Sequence, residues 1–193
     1  MKALAQPPIA LLLGLSLAAS APSFAADKHV RAAPVESRLA YAADRAEIED
    51  LESRYLFALD WQDADAYAAN FTEDGVLDWT QGVVRGRAAI ATEVHNMRAY
   101  FAKHEAVDAP TRPARLRHFI TNSVITVDGD RATQRAYWFE IGNDGRDRRP
   151  IVGGYGHYED ELRRVDGRWL FSSRKIFNEA NASRAASPVN PVR

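Results

Sequence analysis

Two runs of β-forming residues flank Asp128-Gly129-Asp130: Val124-Ile125-Thr126-Val127 before it and Ala136-Tyr137-Trp138-Phe139 after it. Asp-Gly between such runs is a strong hairpin signal, because glycine supplies the positive φ that a tight turn needs. A second pair, Asp166-Gly167, separates residues 151–164 from residues 168–177. The C-terminal half therefore reads as an antiparallel meander. The N-terminal half has the other period. Ile48, Leu51, Tyr55 and Leu59 recur at helical spacing, so residues 44–60 form an amphipathic helix. Asp63 caps a short second helix over 64–70, and a short strand follows at 76–79. Ile90, Val94, Met97 and Phe101 share one face of a third helix. "DAPTRPAR", residues 108–115, is a loop, because two prolines break both periods. Helices followed by a meander make the class α+β, a curved antiparallel sheet wrapped by N-terminal helices. The concave face of such a sheet commonly lines an apolar pocket.

The ends of the chain are of a different kind. Lys2 gives a positive start, residues 9–19 form an apolar run, and Ser23 and Ala25 stand at the small-residue positions of a cleavage site. Residues 1–25 therefore read as a secretory signal, too short in its apolar run to span a membrane. A periplasmic or secreted mature protein follows. Residues 26–43 read as a flexible N-terminal segment, 44–177 as the domain, and 178–193 as a flexible C-terminal tail rich in Ala, Ser, Asn and Pro. The formal charge is −1 and no basic stripe appears, which argues against nucleic acid as partner. There is no cysteine, so no disulfide supports the core. No further apolar run predicts membrane insertion of the mature form.

Polar residues inside core-like segments are the candidates for chemistry. His118 lies near the start of the first hairpin strand, and alternation places it on one face with Leu116, Ile120, Asn122 and Val124. An imidazole among aliphatics suits general-base work; the bland alternative is a histidine bonded to a backbone carbonyl. Asp60 ends the first helix and falls well off its apolar face, so periodicity leaves its direction open. Tyr55 lies on that face, where a core aromatic is the simpler reading. Arg174 sits between Ser173 and Lys175 on the last strand and reads, on its own, as an edge charge facing water. His157 lies in "GGYGHY", whose glycines open a pocket or relieve sheet curvature. His95 and His104 belong to solvated flanks of the third helix. No two histidines have metal-ligand spacing, no glycine-rich loop follows a strand and opens a helix, and no serine sits in a nucleophile elbow. Neither a metal nor a cofactor is expected.

Taken together, Tyr55 and Asp60 on the first helix, "FTEDG" (71–75), "RHFITN" (117–122), "YEDELRRVDGRW" (158–169) and Arg174 resemble the SnoaL-like polyketide cyclase and dehydratase superfamily. That superfamily has the cone-shaped α+β barrel of scytalone dehydratase and nuclear transport factor, and the resemblance covers about residues 44–177. Its nearest catalytic members are hexachlorocyclohexane dehydrochlorinase, scytalone dehydratase and the bile acid dehydratase. The resemblance implies that Asp60 and His118 form an Asp-His dyad. It matches Tyr55 to a tyrosine of the bile acid enzyme, and Arg174 and Asn122 to an arginine and an asparagine of the dehydrochlorinase. One departure is Tyr155, which stands about where scytalone dehydratase has a second active-site histidine. Leu116, Ile120, Asn122, Tyr155 and His157 are then the expected substrate-binding residues.

The function so implied is a cofactor-independent lyase, of dehydratase or dehydrohalogenase type. His118 would remove a proton from carbon in a small apolar organic substrate. Asp60 would fix its tautomer, and Tyr55 or Arg174 would stabilise developing charge. An isomerase or cyclase with the same dyad, and a non-catalytic small-molecule binding protein, are the alternatives. The resemblance also implies a homodimer or homotrimer built through the outer sheet face, with strand aromatics such as Trp138 and Phe139 in need of cover.

Overall fold

The computed structural model describes residues 33–107, 115–143, 147 and 149–192. The signal sequence expected at 1–25 lies outside them, as does most of the 108–115 loop. Residues 34–193 cluster as one unit.

Helix α1, Val35–Asp60, begins well before residue 44, where the sequence reading began it. Its first turns are rich in Glu, Ala, Leu and Arg, good helix formers with no glycine among them. They lie exposed, so helical propensity rather than burial extends the helix. Tyr41 ties this stretch to the sheet by donating its hydroxyl hydrogen to the Ile125 carbonyl at 3.1 Å. Ile48, Leu51 and Tyr55 are buried as their spacing requires. Helix α2, Ala64–Ala68, starts at Asp63, whose carboxylate accepts from the Ala66 N–H at 3.0 Å. Helix α3 is Arg87–Val107, with Ile90, Val94 and Phe101 in the core.

The strands are β1 (Phe71–Trp79), β2 (Gly82–Arg85), β3 (Leu116–Asp128), β4 (Arg131–Gly142), β5 (Ile151–Val165) and β6 (Arg168–Ile176). They form one curved, open sheet in the order β2-β1-β6-β5-β4-β3. The expected α+β class holds. The pairing is antiparallel except between β1 and β6, which run parallel because the chain crosses the whole sheet between them. β2 follows β1 through a short hairpin that the sequence reading passed over. Both Asp-Gly turns form, with Gly129 at φ 57° and Asp166 and Gly167 at φ 50° and 76°.

One irregularity decides the site. β3 carries a bulge between Thr121 and Val124, with Asn122 at φ 56°. A bulge inserts one residue, so strand faces exchange across it. His118 and Ile120 face inward before it and Ile125 after it, while Val124 turns out and is 45% exposed.

Part of the tail beyond residue 177 is bonded back onto the domain. Arg184 donates to the carbonyls of Asp78 and Ile176 at 3.0 and 2.9 Å and pairs with the Asp78 carboxylate at 2.8 Å. These bonds fold the segment back over the β1–β6 end of the sheet, and Asn178 lines the cavity there.

Candidate active site

The concave face of the sheet, closed by α1, α2 and α3, encloses a cavity of about 190 Å³. Leu59, Leu77, Val94, Met97, Leu116 and Trp138 make most of its wall. His118, Glu140 and the hydroxyl-bearing rings of Tyr55, Tyr67 and Tyr158 supply most of its polar edges. An apolar wall with a few convergent polar groups is the usual make-up of a small-molecule site.

Asp60 and His118 meet. The His118 ring donates from Nδ1 to Asp60 Oδ1 at 2.6 Å, and its backbone N–H donates to Oδ2 at 3.0 Å. Both carboxylate oxygens are thus held by one residue, and Arg117 adds a bond to the Asp60 carbonyl at 3.2 Å. The carboxylate stands at the C-terminal end of α1, where the helix dipole disfavours negative charge. The imidazole supplies the compensating cation. Asp60 lies behind the ring, 6% exposed, and leaves the other edge of His118 to the cavity.

That edge has a second acid. His118 Nε2 lies 3.1 Å from Glu140 Oε2, and Glu140 Oε1 accepts from the Gly154 N–H at 2.9 Å. Burial works against charge on His118, but the hydrogen bonds and charges of Asp60 and Glu140 outweigh it and raise the pKa to about 9. For Glu140 burial also opposes ionisation, and the bonds from His118 and Gly154 win, so its pKa is lowered. The two carboxylates therefore favour the charged form of the ring.

The remaining candidates divide. Tyr55 lines the cavity, with its hydroxyl 2.7 Å from that of Tyr67. Burial raises the pKa of both phenols, so both stay protonated. Leu116 also lines the cavity. Ile120 packs on the core beyond the cavity wall, and Asn122 sits in the bulge, bonded to the Thr121 hydroxyl at 3.0 Å. The bulge turned it away from the face that alternation assigned. Tyr155 and His157 lie on the outer face of β5: Tyr155 is 53% exposed, and His157 stacks on Phe177 at 4.4 Å. The intervening inward positions are Gly154, Gly156 and Tyr158, so the "GGYGHY" pattern belongs to the cavity through its glycines rather than its histidine.

Arg174 neither faces water nor reaches the cavity. It is completely buried, bidentate to Asp160 at 2.9 and 2.8 Å and paired with Glu52. Its guanidinium lies 4.2, 4.1 and 4.0 Å from the ring centres of Tyr55, Tyr158 and Phe171. Burial would lower its pKa, yet Asp160 and Glu52 hold it well above the ordinary value. Burial raises Glu52 to about 7 despite the cation beside it. Arg174 thus sits behind the aromatic floor of the cavity and positions it. Trp138, expected on the outside, is buried and stacks on Tyr158, with Nε1–H donating to the Phe177 carbonyl at 3.0 Å.

Sequence reasoning missed Glu140, and the bulge explains why. Counted back from the Asp128–Arg131 turn without it, Ile141 would stand opposite His118; the extra residue shifts the register by one and brings Glu140 there. Among the described residues no group of three or more His, Cys, Asp or Glu side chains is arranged to hold a metal ion. No described helix is long and apolar enough to cross a membrane.

The family model described as "SnoaL-like domain" matches residues 40–175. The chain belongs to the SnoaL-like family. That family includes cyclases and dehydratases. Three solved structures place the fold beside it. A Mycobacterium tuberculosis protein of unknown function is 28% identical, with a TM-score of 0.59, over 83% of this chain and 84% of that one. A Catenulispora acidiphila protein solved in complex with S-DNPA is 27% identical, with a TM-score of 0.59, over 72% and 96%. A Novosphingobium aromaticivorans protein assigned as a scytalone dehydratase is 23% identical, with a TM-score of 0.62, over 81% and 99%. The last of these bears on fold alone. No curated protein matches the chain.

Proposed function

We propose that this SnoaL-like protein is a cofactor-independent lyase of the dehydratase type, acting on a small, mostly apolar organic molecule. The observation that carries the reading is the 2.6 Å contact between Asp60 and a His118 ring whose other edge, shared with Glu140, borders an apolar cavity. Asp60 holds the tautomer and stabilises the imidazolium, in the way an aspartate orients a catalytic histidine elsewhere. The protonated Nε2 of His118 is the acid that converts a poor leaving group, a hydroxyl, into water. The Tyr55–Tyr67 pair supplies a hydroxyl hydrogen for negative charge that develops on the substrate. Acid catalysis and such stabilisation are each worth factors of about 10²–10³ in rate.

The substrate is to be found as the ligand that co-purifies with the native protein, identified by mass spectrometry. Its product should be lighter by the elements of water. His118→Ala and Asp60→Asn should each abolish turnover while the protein stays folded. The double variant should be hardly worse than either single one, because residues acting as a unit are not additive. A product of unchanged mass would make the protein an isomerase or cyclase. Full activity in His118→Ala would end the lyase reading.

A further inference from the structure

Elimination of water needs a base for carbon as well as an acid for oxygen, and His118 cannot serve first as the base while its Nε2–H is committed. Two carboxylates besides Asp60 concern the cavity, Glu93 on α3 and Glu140 on β4, and Glu140 is the one in contact with the ring. Its Oε2 lies 3.1 Å from His118 Nε2, and its side chain keeps 22% of its surface exposed, against 6% for Asp60. Asp60 already satisfies His118 from the buried side, so a second carboxylate is not needed to orient the ring.

The backbone of β5 is shaped around this carboxylate. A Cβ on Gly153 would stand 2.6 Å from Glu140 Oε1, and one on Gly154 would stand 3.3 Å from it. The two glycines leave room for the Glu140 side chain, and the Gly154 N–H then holds Oε1 at 2.9 Å. One oxygen is anchored and the other faces His118 and the cavity.

We propose that Glu140 is the catalytic base and that the substrate class is an apolar β-hydroxy carbonyl compound. This deepens the lyase reading and rests on it. A carboxylate is a weak base, so it removes a proton only from an activated carbon, and in a molecule that loses a β-hydroxyl an adjacent carbonyl supplies the activation. The C–H bond breaks and its proton goes to Glu140 Oε2, while the electron pair forms the new carbon–carbon double bond. The C–O bond to the β-hydroxyl breaks, and the departing oxygen takes the Nε2 proton of His118 and leaves as water. Of the Tyr55–Tyr67 pair one hydroxyl hydrogen bridges the two oxygens at 2.7 Å, and the other is free to meet the substrate carbonyl. Glu140 then holds a proton and His118 lacks one. The 3.1 Å contact lets that proton pass back and resets the site without solvent.

Two probes separate the parts of this scheme. 5-Nitrobenzisoxazole requires only a base, because its leaving oxygen is already a good one; 4-hydroxy-4-phenylbutan-2-one requires base and acid. Wild-type protein should turn over both. Glu140→Gln should lose about 100-fold on both, with its melting temperature and circular dichroism near wild type. Glu140→Asp keeps the charge but withdraws the carboxylate by one methylene, and should fall between them. His118→Gln should lose about 100-fold on the hydroxyketone and less than about 10-fold on the benzisoxazole. Undiminished benzisoxazole turnover in Glu140→Gln would overturn the base assignment. If that variant still dehydrates the hydroxyketone while His118→Gln does not, the lyase reading survives without Glu140. Wild-type turnover of the benzisoxazole alone would overturn the substrate class. Inactivity of every form on both probes would sink the base assignment and the lyase reading together.

Discussion

Raising the pH should remove stability that His118 provides. Its folded pKa of about 9 stands above the ordinary 6.5, so the native state holds a proton that the unfolded chain has released. That contribution is fully present below about pH 6.5 and is lost as pH rises through about 9. At about 1.4 kcal/mol per pH unit the lift is worth about 3 kcal/mol. The His118 side chain is only 11% exposed, so solvent screening removes little of this. The lowered pKa of Glu140 reports the same contact from the other side and is not added. For a domain of this size the loss corresponds to roughly 6–12 °C in melting temperature. Glu52, raised to about 7, also releases stability as pH rises, but between about 4.5 and 7. The assay is therefore a difference: urea unfolding of wild type against His118→Gln from about pH 6 to about pH 10, with the His118 ring followed by NMR. The stability gap between the two proteins should shrink by about 3 kcal/mol over that range. A constant gap, or a ring that loses its proton below pH 7, would refute the account of the site as a cation held by two carboxylates.

Arg174→Met should cost about 3–5 kcal/mol in urea unfolding, because it leaves Asp160 and Glu52 buried without their cation. Gly156→Ala should destabilise by more than about 1 kcal/mol, since the new Cβ would stand 2.1 Å from the Phe177 carbonyl that Trp138 uses. Self-association should run through the outer sheet face, where Phe119, Tyr137 and Tyr155 are exposed; light scattering should show a dimer or trimer that Tyr137→Lys weakens. N-terminal sequencing of exported protein should begin at Ala26, and a mature form that keeps Met1 would count against the signal sequence.

The parts of this structure legible in the sequence are those set by local rules. The two Asp-Gly turns, the Asp63 cap and the apolar stripes of α1 and α3 each follow from a few neighbouring residues. The Asp60–His118 contact was not of that kind. Asp60 lies off the apolar stripe and faces inward only because α1 ends there, against the first turn of β3. Strand alternation puts Asn122 and Val124 on the wrong face for one reason, the bulge, which no nearby glycine marks. Arg174 looked like an edge charge because its partners, Glu52 and Asp160, are remote in sequence. The C-terminal segment reads as free because the bonds that hold it, from the Arg184 guanidinium and from the Glu179 N–H to the Tyr155 carbonyl, follow no local pattern.

Pairing with Asp160 and Glu52 gives Arg174 a different place in the chemistry from the one resemblance implied. It cannot touch a ligand in the cavity, since the rings of Tyr55 and Tyr158 stand between. Yet the same rings lie against its guanidinium at 4.2 and 4.1 Å, and their hydroxyl-bearing edges line the cavity. A cation fixed behind a phenol makes that phenol a better hydrogen-bond donor, and its attraction partly offsets the burial that raises the Tyr55 pKa. Asp160 and Glu52 hold the guanidinium in place, while the charge of Glu52 acts against it at Tyr55. Arg174→Lys tests this separation of charge and position: the cation remains, but the planar fork that fixes it is gone. Loss of turnover with little change in substrate affinity would mark Arg174 as the residue that positions the tyrosines. An equal loss of both would mean that it holds up the cavity floor and nothing more.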